Sequence, residues 1–284
     1  MRHKRLTRGE KRSKRKKVII ISTLCLLLVM TIGYAAFQTN LNITAKGNVK
    51  EKSRIIQSWT SASQEDFHSD FYKQNIVTAT FLDSSVVPSN ALESWDVSET
   101  KDKGVMAWVI PNNEDNTKYD LYIGANNGVI ANEDSSYLFY NFNVITSIEF
   151  GKNFDTSNVT NMYAMFSNCM EIVDLNLEIF DTENVVNMAD MFSLTYKLEN
   201  LNVSNFHTNN VTSFWHMFRD CKSLKYLNLC SFDTRKVTNM ASMFWNTPLL
   251  TAIYVGPNWV ISENTDITDM FFISNISSVT TGQC

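Results

Sequence analysis

The chain has 284 residues, of which 44% are hydrophobic, and a formal net charge of −4 at pH 7. Ten basic residues and one acid lie in the first seventeen positions, so the remainder holds 15 basic and 28 acidic residues. A body this acidic repels nucleic acid and anionic lipid surfaces, and we exclude nucleic acid as a partner.

The N-terminus reads as a membrane-targeting region. Residues 1–17 form a basic segment, and residues 18–37 contain no charged side chain. Twenty apolar residues in a helix span roughly 30 Å of hydrocarbon, and a basic flank stays in the cytoplasm. We therefore predict a single-pass membrane helix with the bulk of the chain outside the cell. The alternative is a signal peptide cleaved after Ala35, which would make the protein secreted.

The region between this segment and the repeats is predicted to be mainly β. Residues 38–54 are polar and read as a linker, and residues 55–143 show an irregular pattern. Strands are predicted for Ile76 to Phe81, Gly104 to Ile110 and Tyr119 to Ile123, because these runs are rich in β-branched and aromatic residues. Residues 55–143 are either an N-terminal cap of the repeats or an independent domain, and the pattern favours the cap.

Residues 144–284 carry an internal repeat. Phe154, Phe180, Phe206 and Phe232 recur every 26 residues, and Trp259 begins a degenerate copy 27 residues later. Two apolar columns run through all the copies, namely Met165, Met191, Met217, Met243 and Met270, and Phe166, Phe192, Phe218, Phe244 and Phe271. A period of 20–50 residues is typical of solenoids, in which one copy cannot fold without its neighbours. We predict a leucine-rich-repeat-like solenoid, with a short strand and a turn or short helix in each coil.

The cysteines are predicted to be thiols rather than disulfides inside the repeats. Cys169 and Cys221 occupy the same position two copies apart, which at strand spacing separates their Cα atoms by roughly 10 Å. A disulfide requires less than about 7 Å. The repeat pattern predicts neither a bonding partner nor a role for Cys230 and Cys284.

Chemistry-bearing motifs are not evident in the sequence. The histidines at positions 3, 68, 207 and 216 lack metal-ligand spacing, and neither a nucleophile motif nor a glycine-rich phosphate loop is present. The aspartates at positions 155, 181 and 233 are predicted to cap turns through hydrogen bonds to nearby backbone amides. We predict that the protein is not an enzyme and has neither a cofactor nor a metal site.

The sequence of residues 154–169 resembles the 26-residue surface repeat of BspA-like leucine-rich-repeat proteins, which are common on low-GC Gram-positive bacteria and mycoplasmas. The resemblance covers roughly residues 90–275. It implies a solenoid exposed on the cell surface, and adhesion to host or matrix molecules. The sequence ends without a C-terminal sorting motif, so the N-terminal segment is expected to be the tether.

The candidate functional site is a surface. Positions between the buried leucines of each strand should face solvent, and repeat proteins bind partners on such extended faces. Trp215 and Trp245 replace small or polar residues of other copies, and either bind a ligand or pack against the C-terminal coil. The candidate residues are Asp174, Asn176, Glu199, Asn200, Asn202, Lys225, Tyr226, Asn228, Tyr254, Trp215 and Trp245.

The predicted function is therefore binding of an extracellular protein or glycan by a membrane-tethered surface protein. The alternative is a structural spacer or envelope component without a specific host ligand. Self-association stays open at this point.

Overall fold

A computed structural model describes residues 51–282 and residue 284. The predicted basic segment, the predicted membrane helix at residues 18–37 and nearly all of the predicted linker lie outside the described residues. Within the described part, no helix has the length and hydrophobicity needed to cross a membrane. Residues 52–284 form one compact unit.

The first part of this unit is a regular five-stranded sheet. A single turn of helix, α1 (Asp70–Lys73), precedes it, and Ser69 caps that helix by accepting a hydrogen bond from the Tyr72 N–H. The strands, in chain order, are β1 (Ile76–Leu82), β2 (Glu93–Asp96), β3 (Val105–Pro111), β4 (Tyr119–Ala125), the separate short strand β5 (Val129–Ile130) and β6 (Ser147–Glu149). Their order in the sheet is β2-β3-β4-β1-β6. The strands predicted to begin at Ile76, Gly104 and Tyr119 are confirmed, with the second beginning at Val105.

The repeats form several small sheets. The strands are β7 (Phe154–Asp155), β8 (Asp174–Leu175), β9 (Asn200–Leu201), β10 (Tyr226–Leu229), β11 (Ala252–Val255) and β12 (Thr280–Thr281). All pairings among them are parallel: β5 with β7, β8 with β9, and β10 with β11 and then β12. No sheet of the described residues runs through all the copies.

The predicted fold class, a leucine-rich-repeat-like solenoid with an irregular cap, is therefore wrong. The described chain is mostly β-strands in several small sheets, without a closed solenoid, and α1 is its only α-helix. The N-terminal region is not irregular, since it contains the largest sheet. The repeat strands, each of two to four residues, are divided among separate two-stranded and three-stranded sheets.

The segment predicted to hold a helical turn in each repeat is instead a hydrogen-bonded row, here called the turn row. It comprises residues 134–141, 161–168, 187–194, 213–220, 239–246 and 266–273. Two residues of each segment have positive φ, for example Ala164 at 53° and Asn168 at 65°. A left-handed residue cannot continue a right-handed helix, so the backbone groups pair between copies instead.

Bonding in the turn row runs in one direction. Four alternate N–H groups of each copy donate to four carbonyls of the next copy, as in Met162 to Asn187 (2.9 Å) and Asn168 to Ser193 (2.8 Å). Met162, Met165 and Phe166 lie three and four positions apart, which imitates helical spacing. Their side chains are buried between copies, and the turn row supplies the backbone bonds.

The core is a stack of phenylalanine rings, as the Phe column predicts. Neighbouring rings of this Phe stack lie 5.5–6.0 Å apart and nearly parallel. Its members are Phe139, Phe166, Phe192, Phe218, Phe244 and Phe271. Cys169 and Cys221 lie in the same core as buried free thiols, which confirms that prediction. Burial raises the pKa of the Cys221 thiol to about 12.

The aspartates cap turns as predicted. The Oδ1 atoms of Asp155, Asp181 and Asp233 each accept a hydrogen bond from the N–H two residues later, at 3.0–3.1 Å. The neighbouring threonines join the copies: Thr156 Oγ1 donates to the Asp181 carbonyl (3.0 Å) and accepts from the Asp181 N–H (2.8 Å). Hydrogen bonds to the backbone therefore explain why aspartate and threonine recur at these repeat positions.

One disulfide was missed in the sequence. Cys230, at the end of β10, is bonded to Cys284, with Cα atoms 5.7 Å apart. The bond closes the segment that brings β12 onto β11. Their separation of 54 residues is not a multiple of the 26-residue repeat, so a comparison of equivalent repeat positions could not pair them.

Candidate binding surfaces

The predicted strand residues lie on a common exposed surface, here called the strand face. Parallel register places Asp174 beside Asn200, and Asn228 beside Tyr254. The strand-face residues are Asp174, Asn176, Glu199, Asn200, Asn202, Lys225, Tyr226, Asn228 and Tyr254, all exposed except the half-buried Glu199 and Tyr254. Alternation with buried leucines puts them outward, as predicted.

Much of the strand face is paired with itself. Lys225 Nζ lies 2.7 Å from a Glu199 carboxylate oxygen, and Asn200 Nδ2 donates to Asp174 Oδ1 at 2.9 Å. Exposed pairs of this kind contribute less than about 1 kcal/mol each. They nevertheless occupy polar atoms that a ligand would otherwise use.

Three predicted asparagines of the strand face have a structural role. The Oδ1 atoms of Asn176, Asn202 and Asn228 accept hydrogen bonds from the N–H groups of residues 178, 204 and 230, at 3.0–3.1 Å. Each thereby turns the chain at the end of its strand. Tyr226, whose side chain is 55% exposed, is the large ring on this surface with the most open face.

Trp215 and Trp245 do not belong to the strand face. Both lie in the turn row, and both are half-buried. Trp215 stacks on the His216 ring at 3.7 Å, and Trp245 stacks on Phe272 at 6.3 Å. The predicted candidate residues thus divide between two surfaces.

The tryptophans continue a series of rings in the turn row that the sequence analysis did not single out. We call Tyr137, Tyr163, Trp215, Trp245 and Phe272 the aromatic row. Tyr137 and Tyr163 meet edge to face at 5.3 Å. Tyr163 and Trp215 each stand nine residues after a repeat start, and Trp245 and Phe272 each stand thirteen residues after one. Comparison of equivalent repeat positions could therefore have found both pairs.

Charged side chains connect the rings. Burial and the negative charge of Asp190 raise the pKa of Tyr163 to about 12. Asp190 Oδ1 lies 3.5 Å from His216 Nδ1, next to Trp215. Further along, the Arg219 guanidinium lies 4.7 Å from the centre of the Trp245 ring. Such a cation above an indole contributes about 0.5–1 kcal/mol at an exposed site.

The aromatic row can bind a ligand without chemistry. Half-exposed rings held by stacking offer flat apolar contact area at low entropic cost, and the flanking Asp190 and Arg219 offer hydrogen-bond partners. Repeat proteins commonly bind partners on extended surfaces to which several copies contribute.

The comparisons place the chain in a family. Residues 133–252 and 173–280 match the family model described as "Mycoplasma protein of unknown function, DUF285", and together they span more than half of the chain. The chain belongs to this family. The match agrees with the predicted bacterial surface-repeat type, although it does not carry the BspA-like or leucine-rich-repeat name. No curated protein and no solved structure matches the chain.

Proposed function

We propose that this protein is a membrane-tethered bacterial surface protein that binds an extracellular protein or glycan on its aromatic row. The observation that carries the proposal is that five of the six turn-row segments present a partly exposed ring, with Asp190, His216 and Arg219 beside these rings. The resemblance of residues 154–169 to BspA-like surface repeats supports adhesion as the purpose of this binding.

The ring geometry favours an extended ligand with flat apolar faces. Sugar rings present C–H groups on one face and hydroxyls at the edge, which suits a tryptophan beside a carboxylate or guanidinium. An aromatic or apolar peptide segment satisfies the same contacts. The acidic balance of the chain disfavours nucleic acid.

An extracellular location is supported by the Cys230–Cys284 disulfide, because disulfides persist in oxidising compartments. The uncharged segment 18–37 behind ten basic residues supplies the proposed tether. Cleavage after Ala35 would release the same binding surface into the medium.

The test uses the full-length chain against a panel of immobilised glycans and matrix proteins. The double variant Trp215→Ala/Trp245→Ala is compared with Lys225→Ala/Tyr226→Ala, which alters the strand face. We expect saturable binding to at least one ligand, weakened tenfold or more by the tryptophan pair and less than threefold by the strand-face pair. A ligand that binds both variants equally well contradicts the assignment to the aromatic row.

A structural spacer is the second candidate, favoured by the self-pairing of the strand face. Lys225 with Glu199, and Asn200 with Asp174, are already satisfied by neighbouring copies. A spacer predicts no saturable ligand on the panel, together with unchanged surface display of both double variants. Saturable binding that is lost in the Trp215→Ala/Trp245→Ala variant would exclude the spacer function.

A further inference from the structure

The turn row ends in an edge of unpaired backbone donors. In the copy before the last, Met240, Ser242, Phe244 and Asn246 donate their N–H groups to carbonyls of the last copy at 2.7–2.9 Å. The equivalent donors of the last copy are the N–H groups of Ile267, Asp269, Phe271 and Ile273. None of them has a hydrogen-bond acceptor within residues 51–282 and 284.

The C-terminal segment covers a different part of the last copy. β12 pairs with β11, so the strand of the last copy already has its hydrogen-bonded neighbour within the chain. The turn row receives no such addition, which leaves four parallel donors at its end. As at the open edge of a sheet, unpaired backbone donors that face the same way can pair with a further polypeptide segment.

An apolar groove lies along this donor edge. Its volume is about 470 Å³, and its walls include Ile261, Phe271, Phe272 and Val279. The side chains of Ile267, Phe272 and Ile273 are 46%, 53% and 55% exposed. Met240 and Phe244, the equivalents of Ile267 and Phe271 in the copy before the last, are completely buried.

The polarity of the edge argues against a second copy of this chain. Two donor edges placed tail to tail would set N–H against N–H. Head-to-tail contact requires the carbonyl edge at the start of the row, but one of its four carbonyls, that of Leu138, already accepts from His68 Nε2 at 2.8 Å. Leu138 and Phe139 are also buried at that end.

The charge of the last copy selects for a basic partner. Glu263, Asp266 and Asp269 are exposed, and residues 257–284 contain no lysine, arginine or histidine. Opposite charge at the rim of an interface speeds association and fixes the register.

We propose that this donor edge binds a polypeptide segment of a partner protein that adopts the turn-row conformation. The segment supplies alternating backbone carbonyls to the four N–H groups, an apolar side chain to the groove and basic residues to the acidic rim. Main-chain bonds to an open edge are an established mode of peptide recognition. This site shares Phe272 with the aromatic row but differs from it in ligand chemistry, because its main contacts are backbone N–H groups.

The probe is a fluorescent synthetic peptide of residues 236–247, with blocked ends. In the protein, its Asn239, Ala241, Met243 and Trp245 carbonyls accept bonds from an equivalent donor row, and Lys236 supplies the basic flank. Binding to the full-length chain is measured by fluorescence anisotropy. We expect saturation, with affinity falling when salt is raised, and the absence of saturation overturns the proposal.

Two variants at one position isolate the backbone donor. Ile267→Pro removes one N–H, whereas Ile267→Val keeps it and the apolar surface. We expect the proline variant to bind the peptide at least fivefold more weakly and the valine variant within twofold of wild type. Equal binding by both variants overturns the proposal.

Hydrogen exchange on the wild-type chain tests the same edge without relying on the fold of a variant. The amides of Ile267, Asp269, Phe271 and Ile273 should exchange much faster than those of Met240, Ser242, Phe244 and Asn246. The peptide should slow the first set. Slow exchange of that set in the free protein would show that the edge is already occupied.

Discussion

The disulfide is the residue-scale feature with the largest expected effect on stability. Cys230 and Cys284 close a loop with a sequence separation of 54. Constraining a loop of this length in the unfolded chain contributes up to about 4 kcal/mol. We therefore expect Cys230→Ser/Cys284→Ser to lower the free energy of unfolding by about 2–4 kcal/mol, measured by chemical denaturation.

Reduction of the wild type provides the matched comparison. Dithiothreitol should lower its melting temperature towards that of the double variant, and should leave the double variant unchanged. Cys169 and Cys221 are buried, and burial raises the pKa of both thiols. Alkylation of the native, oxidised chain should therefore leave these two unlabelled. A wild type that is insensitive to reductant would contradict the assigned pairing.

Asp66 links stability to pH. It accepts hydrogen bonds from the His68 backbone N–H (2.9 Å), Trp59 Nε1 (3.0 Å) and Gln57 Nε2 (2.6 Å), and its Oδ1 lies 3.0 Å from His68 Nδ1. Burial alone would raise the pKa of Asp66, but the hydrogen bonds from His68 and Trp59 outweigh it and lower that pKa. A lowered folded-state pKa stabilises the fold above the unfolded value of about 3.9, and this contribution is lost as pH falls further.

We accordingly expect Asp66→Asn to cost about 1–3 kcal/mol at pH 7, because buried donors lose an ionised acceptor. The stability difference between wild type and variant should shrink as pH falls from 5 to 3. Thermal unfolding across this range measures it, with the exposed Glu65→Gln as control. A difference that grows on acidification would refute the role given to Asp66.

A gap in a side-chain ladder predicts a stabilising substitution. Asn168 Nδ2 donates to Asn141 Oδ1 of the preceding copy at 2.6 Å, and Asn246 donates likewise to Asp220. Leu194 occupies the intervening position at φ 63°, and the buried Asn168 Oδ1 has no partner among the described residues. Leu194→Asn would tolerate the left-handed backbone and supply the missing donor.

We expect Leu194→Asn to raise the free energy of unfolding by about 1 kcal/mol, since relief of strain and a new bond outweigh lost apolar contact. Leu194→Asp is the control, because a carboxylate suits the same backbone but has no N–H to donate. Equal effects of the two substitutions in chemical denaturation would remove the ladder as the explanation.

At the scale of elements, the Phe stack holds the copies together. Phe192 is completely buried, with rings of neighbouring copies at 5.8 and 5.7 Å. Removing a buried phenylalanine ring costs about 3–5 kcal/mol. Phe192→Ala should therefore lower the free energy of unfolding by that amount, whereas Phe272→Ala, at an exposed ring, should change it by about 0.5 kcal/mol or less. Comparable losses from both would contradict the stack as the core.

The elements also show how far the sequence could predict the fold. Strands β1, β3 and β4 follow from runs of β-branched and aromatic residues, and the Phe stack follows from its 26-residue column. The turn row could not be predicted in this way, because its left-handed positions hold residues such as Ala164, Leu194 and Ser242 rather than glycine. Apolar spacings of three and four residues then imitate a helix.

The candidate site was predictable only in part. Alternation with buried leucines correctly placed Lys225, Tyr226 and their neighbours on an exposed face. It could not show that Trp215 and Trp245 lie on another surface, because that depends on how the turn row is folded. The donor edge at Ile267 lacks any side-chain signal, since its chemistry belongs to the backbone.

At the scale of the molecule, the two ends of the repeat array differ. At the carbonyl end His68 Nε2 donates to the Leu138 carbonyl and Phe81 of β1 packs against Phe139, whereas the four donors at the other end have no acceptor among the described residues. The aromatic row runs between these ends, with Trp245 stacked on Phe272 of the last copy. The proposed ligand and the proposed peptide partner therefore use different chemistry on one compact body.

Both proposals require residues 52–284 to lie outside the cell, which makes their location the most direct test. Intact expressing cells are treated with external protease, and the membrane-bound and released chains are analysed by intact mass. We predict that protease removes this part from intact cells, or that a chain beginning near Ala36 is found in the medium. Full-length protein that resists protease until the cells are lysed would contradict the account.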